Sequence, residues 1–137
     1  MAELLCVLRK YSLPLFINAR MHDERLTHMI HPTPPNMEAI RQFALDNRDI
    51  KIVLCHFKAS ELEAIRKELL SLENLYAEMS ALRGNLLDDE PKDLFKKILY
   101  GSAFPLYPVT ASATLIKTEL IDEQVRRVFF EREDVLS

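Results

Sequence analysis

Three histidines, His22, His28 and His31, lie close together in the sequence, and the carboxylates Asp23 and Glu24 adjoin the first of them. Imidazole and carboxylate groups are common zinc ligands in proteins. If this segment folded over the mouth of a pocket, its side chains would approach a metal ion. The histidine spacings of six and three match no established ligand pattern such as HExxH, so a solvated loop or a short exposed helix is the competing interpretation.

The fourth histidine, His56, directly follows Ile50–Cys55, whose β-branched residues predict a buried strand. A histidine at a strand end is either a metal ligand or a structural residue that is hydrogen-bonded to a neighbouring loop. Arg20 and His22 lie just beyond another predicted strand, where barrels of parallel strands contact their substrates. Arg20 and His22 are therefore the candidate substrate-binding residues, and both interpretations of His56 stay open at this point.

The elements that would position these residues alternate between helix and strand. The predicted elements are an opening helix ending near Ser12, a strand at Leu15–Ile17, a helix capped by Asn36, the strand Ile50–Cys55, a helix from Ser60 to about Leu70, a strand at Leu75–Ala77, a helix from Pro91 with Leu94, Phe95 and Ile98 aligned, a strand at about Ile98–Tyr100, and a last helix from Asp122 to about Glu131. Ser60 and Glu63 have the form of a capping box. Glu78, after the third strand, is either a site carboxylate or an ion-pair partner.

Short apolar strands that alternate with helices predict a parallel sheet covered by helices, so the fold class is α/β. A chain of 137 residues suits one domain that buries a sizeable core. A complete (β/α)8 barrel typically has about 250 residues, so this chain has room for about four β/α units. The pattern alone fits both half of a TIM (β/α)8-like barrel and a small doubly wound sheet.

Four segments resemble consecutive strands of a known superfamily. Leu13–Arg20, Ile52–His56, Asn74–Glu78 and Tyr100–Pro105 are similar, in order and spacing, to strands five to eight of the amidohydrolase superfamily. The last segment resembles the Gly-Ser-Asp-x-Pro signature of its amidohydrolase 2-like branch. The resemblance implies that residues 1–137 form one domain, which corresponds to the C-terminal half and closing helix of a metal-dependent TIM-barrel hydrolase.

The resemblance also implies roles for single residues. In the superfamily a metal ion polarises the scissile bond and activates water, and His56 matches the metal ligand of strand six. Asn18 stands where strand five carries a histidine, and Ala103 stands where strand eight carries an aspartate that acts as ligand and proton shuttle. The His-x-His pair of strand one would lie before Met1. A divalent metal such as zinc is thus implied by the family, but asparagine is a poor zinc ligand and alanine is none.

Two functions follow from these matches and departures. The first is an amidohydrolase-like fragment or degenerate member that lacks hydrolytic activity by itself and acts in binding or assembly. The second is an active metal-dependent hydrolase of C–N or of C–C or C–O bonds, in which dimerisation, a partner chain or the loop histidines supply the missing ligands.

Composition limits the partners. The formal net charge is -3, and the basic residues are scattered among acidic ones, so we expect no nucleic-acid partner. No apolar run is long enough for a membrane span, and the start lacks the features of a secretory signal. Cys6 and Cys55 make no disulfide framework, which predicts a cytoplasmic protein. A four-stranded sheet has two open edges, so we expect a homodimer or a partner chain that covers them.

Overall fold

The computed structural model of this protein describes residues 1–19, 35–56, 59–80, 92–102 and 108–119. Helices and strands alternate along these residues, as the sequence predicts. The elements are α1 (Ala2–Lys10), β1 (Leu15–Asn18), α2 (Met37–Asp46), β2 (Ile52–Cys55), α3 (Ala59–Ser71), β3 (Leu75–Glu78), α4 (Lys92–Phe95), β4 (Ile98–Leu99) and α5 (Val109–Glu119).

The four strands form one parallel sheet in the order β1-β2-β3-β4. Leu15 lies opposite Ile52, Ile52 lies opposite Leu75, and Ala77 lies opposite Ile98. Strands that are neighbours in the sequence are therefore neighbours in the sheet, and the predicted α/β class is confirmed at this level.

Three of the helices form one layer, because α2 contacts α3 and α3 contacts α4. Side chains of one sheet face pack against this layer, which leaves the main core between the sheet and the helices. The buried core residues are Leu8, Ala44, Ile50, Ile52, Leu54, Leu62, Ile65, Leu69, Leu72, Leu75, Ala77, Met79, Leu94, Phe95 and Ile98. The opposite sheet face carries the row Phe16, Val53 and Tyr76, in which Phe16 is 53% exposed and Val53 is fully buried.

The ends of α1 and α2 follow known capping rules. The Ala39 N–H donates to Oδ1 of Asn36 at 3.0 Å, which confirms the predicted cap of α2. α1 ends at Lys10, close to the predicted end near Ser12, and Ser12 itself has a φ of 51°. The Leu13 N–H closes the helix end on the Leu8 carbonyl at 2.9 Å. A left-handed residue after the last helical turn is typical of this kind of helix end.

A buried asparagine connects the sheet with the helical layer at the amino ends of the strands. Nδ2 of Asn74 donates to the carbonyls of Ala44, Asn47 and Ile50 at 3.0–3.1 Å. These carbonyls lie at the end of α2 and in the turn that leads to β2. Asn74 itself directly precedes β3, so its side chain sets the position of β3 relative to the α2–β2 turn.

One predicted boundary near these elements is wrong, and one overlap between a predicted helix and a predicted strand is resolved. β2 begins at Ile52 and not at Ile50, because the Ile50 N–H closes a turn on the Asn47 carbonyl at 3.0 Å. The predicted helix that carried Ile98 on its inner face stops at Phe95. Ile98 is the first residue of β4, as the predicted strand at about Ile98–Tyr100 requires, and there it pairs with Ala77 and is fully buried. The pairing with β3 decides its conformation, since strand and helix patterns overlap in so short an apolar run.

α5 is absent from the predicted elements, because Val109, Thr110 and Thr114 give its sequence a weak helix propensity. The Tyr100 hydroxyl donates to the Val109 carbonyl at 2.8 Å and so connects the end of β4 with the start of α5. The predicted helix at Asp122–Glu131 lies outside the described residues. The predicted capping box is wrong in its position, because α3 begins at Ala59 and Ser60 therefore lies within the helix. Among the described helices, none is long and apolar enough to cross a membrane.

Candidate functional site

The strand register brings polar side chains together at the carboxyl edge of the sheet. Asn18 lies opposite Cys55 on β1 and β2. Because Leu54 lies opposite Ala77, the next residues along, Cys55 and Glu78, are neighbours on β2 and β3. Side chains in register on parallel strands point to the same face, so Asn18, Cys55 and Glu78 form one row, which we call the polar row. Functional groups in parallel α/β proteins commonly lie at this edge.

Glu78 is the centre of the polar row. Its Oε1 accepts a hydrogen bond from the Ser80 N–H and its Oε2 accepts one from the Ser80 hydroxyl, both at 2.6 Å. The backbone N–H of His56 donates to the same carboxylate. Burial raises the pKa of Glu78 above its ordinary value, although these hydrogen bonds and the nearby His56 oppose the shift. The carboxyl group thus connects the ends of β2 and β3 and holds its proton more tightly than an exposed glutamate.

Gly101 makes room for this carboxylate from the end of β4. A Cβ atom at residue 101 would lie 2.8 Å from Cγ of Glu78 and closer still to its Oε1. Real Cβ atoms do not approach other heavy atoms so closely. Any side chain at residue 101 would therefore displace Glu78 from its place beside Ser80.

His56 lies at the end of β2, as the sequence predicts, and its backbone is strained. Its φ of 54° is in the left-handed region, which costs a residue with a Cβ about 1–2 kcal/mol. This conformation turns the chain sharply after β2 and directs the backbone N–H to Glu78. The ring is only partly accessible, and its Nδ1 atom is buried. Strained residues of this kind occur preferentially at functional sites.

Cys55 is held as a thiol. Burial, followed by the negative charge of Glu78, raises its pKa to about 12. The thiolate is the form that attacks electrophiles and binds metals, so at neutral pH this side chain does neither effectively. Cys55 is therefore a packing residue of the polar row.

The described residues do not fit a zinc site. A catalytic zinc takes three protein ligands and one open position. No group of three histidine, cysteine, aspartate or glutamate side chains within the described ranges is arranged to hold a metal ion. Asn18 offers only an amide, Cys55 is a thiol, and both oxygens of Glu78 already accept hydrogen bonds from Ser80. The chemistry that this edge supports is proton transfer, because a carboxyl group of raised pKa lies beside an imidazole.

Several predicted site residues cannot be placed. Arg20 and His22, the candidate substrate-binding residues, lie outside the described residues, as do Ala103 and the remaining loop histidines, His28 and His31. Among the placed positions, Asn18 ends β1 and His56 follows β2, so both lie at the carboxyl edge, at the ends of the two strands where the sequence predicts them.

The sequence did not identify the contact of Glu78 with Ser80 and Gly101. The sequence left two interpretations of Glu78, a site carboxylate and an ion-pair partner. Among the described residues, its carboxylate oxygens accept hydrogen bonds from Ser80. A local signal exists in the carboxylate that directly follows the apolar strand Leu75–Ala77. The contribution of Gly101 has no local signal, because its contact partner lies on another strand.

Comparison with known proteins adds no family. Neither a protein-family model nor a curated protein matches this chain. What is established is a four-stranded parallel α/β fold with a polar row at the carboxyl edge of its sheet.

Proposed function

We propose that this chain is an amidohydrolase-like half-barrel that has no hydrolytic activity by itself and acts through binding or assembly. The observation that carries the proposal is the polar row. The edge at which the superfamily gathers its metal ligands has here an amide, a protonated thiol and a carboxylate engaged by Ser80. This set of groups matches a retained fold whose hydrolytic centre is lost.

The sheet topology supports the half-barrel. In a doubly wound sheet the strand order reverses at a switch point, and helices cover both faces. Here the order β1-β2-β3-β4 runs without reversal, and the contacts of α2 with α3 and of α3 with α4 place these three helices in one layer. Four consecutive strands with helices outside correspond to half of an eight-stranded barrel.

The outer edge of β1 supports a role in assembly. Among the described residues, β1 pairs only with β2, so its outer edge has no strand beside it. Phe16 on this edge strand is 53% exposed. Uncovered edges with apolar side chains promote association, and a second copy or a partner chain would cover them. Both cysteines are free, which fits the proposed cytoplasmic location.

Zinc analysis tests the loss of the hydrolytic centre. The purified protein is stripped with a chelator, reloaded with zinc and dialysed, and its metal content is measured beside that of a His56→Ala variant. We expect no stoichiometric zinc in either protein and a lower free energy of unfolding in the variant, because His56 is structural. One zinc per chain or per dimer that disappears with His56→Ala would contradict the proposal.

The His56–Glu78 contact favours one alternative. A metal-dependent hydrolase completed by a partner chain would place its catalytic groups at this same edge. Glu78 has the raised pKa that suits a proton-transfer residue. Under this alternative, zinc binding and hydrolysis of amide or ester substrates appear together only in the assembled protein. The same zinc analysis, combined with hydrolysis assays on a panel of such substrates, distinguishes the two functions.

A further inference from the structure

The apolar surface of α1 is wider than the part that packs on the core. Leu8 is buried in the core and Leu5 packs against it. On the neighbouring side of the same helix and its cap, Leu4, Val7 and Tyr11 are 46%, 46% and 59% exposed. We call these three residues the α1 stripe. A helix of a monomeric protein normally turns its charged residues to solvent at such positions.

The spacing of the α1 stripe is that of a helix–helix seam. Leu4, Val7 and Tyr11 follow each other at intervals of three and four residues, which keeps them in line along a helix. Most large apolar side chains that are exposed in the described residues come from the same part of the chain. They are Met1, Leu4, Val7, Tyr11, Leu13 and Phe16, whereas Leu70 and Val109 lie elsewhere.

Two opposite charges flank the α1 stripe. Glu3 lies in the first turn of α1 and Lys10 lies in the last. They are seven residues apart, so two helical turns place them on the same side of the helix. The Lys10 ammonium group lies over the ring of Tyr11, 5.1 Å from its centre, so the positive charge is at the end of the stripe.

These charges indicate which partner and which orientation the α1 stripe fits. If two α1 helices packed side by side in parallel, each Glu3 would lie at the level of the other Glu3, and no Glu3 would lie near a Lys10. In an antiparallel pair, Glu3 of each copy lies near Lys10 of the other, and Leu4 of each copy lies near Tyr11 of the other. The surface is thus complementary to itself about a twofold axis near Val7, as a symmetric dimer requires.

We propose that α1 is a dimerisation helix, and that its stripe packs antiparallel against the stripe of a second copy of this chain. The inference rests on the proposed role in assembly and gives that role a partner and a surface. It does not depend on the loss of hydrolysis. It also differs from barrel closure, in which the edge of β1 would meet β4 of the second copy.

Mass measurement by light scattering is the first test. At about 100 µM, where an interface of modest area is populated, we expect twice the chain mass of 15.9 kDa. Val7→Glu places two carboxylates at the twofold axis and weakens the dimer at least about tenfold. Leu70→Glu is the matched control, because Leu70 is 43% exposed but lies on α3. This control keeps the wild-type mass. Circular dichroism confirms that both variants are folded.

A cysteine trap gives a readout in the folded protein that does not depend on weakening the dimer. In a Cys6→Ser background, Val7→Cys forms a disulfide-linked dimer under mild oxidation. The remaining Cys55 does not interfere, since burial raises its pKa to about 12.

A charge exchange tests the antiparallel pairing. Lys10→Glu weakens the dimer, and adding Glu3→Lys to it restores the wild-type mass.

A wild-type protein of monomer mass at this concentration overturns the inference. So does a dimer that survives Val7→Glu and is not trapped through residue 7, which would instead indicate assembly through the sheet edge. Neither result changes the zinc analysis, so failure of the α1 interface is distinguishable from failure of the proposed loss of hydrolysis.

Discussion

The carboxylate of Glu78 occupies the space that a side chain at Gly101 would need. Glu78 ends β3 and Gly101 follows β4, so this contact crosses from one strand to the next at the carboxyl edge. Ser80 holds the carboxylate there with two hydrogen bonds. The relationship makes Gly101 a requirement of the polar row, and it is testable by mutation.

Gly101→Ala will destabilise the protein by about 1–3 kcal/mol, because the new methyl group displaces Glu78 and its hydrogen bonds with Ser80 are lost. Urea unfolding measures the change. In a Glu78→Ala background the obstructing side chain is gone, so the same substitution will cost at least about 1 kcal/mol less. Equal costs in both backgrounds would mean that a methyl group at residue 101 does not displace the Glu78 side chain.

Arg41 offers a matched pair of carboxylates for a pH experiment. Its Nε atom is 2.7 Å from Glu68, which is 14% exposed, and its Nη1 atom is 2.9 Å from Glu38, which is 73% exposed. Burial, the largest single influence, raises the pKa of Glu68, but the hydrogen bond and positive charge of Arg41 together with a backbone hydrogen bond and the charge of Lys67 outweigh it, so the pKa lies below its ordinary value. A carboxyl group of lowered pKa stabilises the fold above its unfolded-state pKa and loses that contribution as the pH falls through its folded-state pKa.

Glu68→Gln will therefore destabilise the protein at pH 7, and the difference from wild type will shrink as the pH falls below the ordinary range of glutamate. Chemical unfolding at a series of pH values measures this difference. Glu38→Gln is the control and will have the smaller effect at neutral pH, since exposed ion pairs contribute little. A Glu68 difference that grows toward acid pH would contradict the lowered pKa.

Asn74→Ala will cost about 2–4 kcal/mol of unfolding free energy, because it leaves carbonyl groups of the α2–β2 turn without their buried donor. The comparison variant is Asn36→Ala, which removes one exposed capping hydrogen bond and costs about 1 kcal/mol. Thermal and urea unfolding of both variants give the order. A smaller effect at residue 74 than at residue 36 would show that Asn74 does not organise this turn.

Ser12→Gly will stabilise the protein by about 0.5–1 kcal/mol. Ser12 is exposed and has a φ of 51°, and glycine takes this conformation without the steric cost that a Cβ atom adds. The control is Ser71→Gly at the end of α3, where the backbone is helical and glycine will be destabilising. Loss of stability at residue 12 would show that the left-handed conformation is not strained there.

Most elements were predictable because their signals are local. The β-branched run before His56 and the apolar run at Leu75–Ala77 each form the expected strand. The Asn36 cap was predictable for the same reason, since a capping side chain reaches an N–H only three residues ahead. The boundary at Ile98 was not, because its spacing from Leu94 and Phe95 also fits a helix and only pairing with β3 makes it a strand.

The candidate site was predictable only in part. The sequence by itself determined the α/β alternation and the position of His56 at a strand end, because both depend on residues that are close in the chain. Only the tertiary structure decided the strand order, and with it the contacts of Glu78 with His56 and Gly101. The register between strands brings these residues together, and register arises from packing of the whole sheet against its helices.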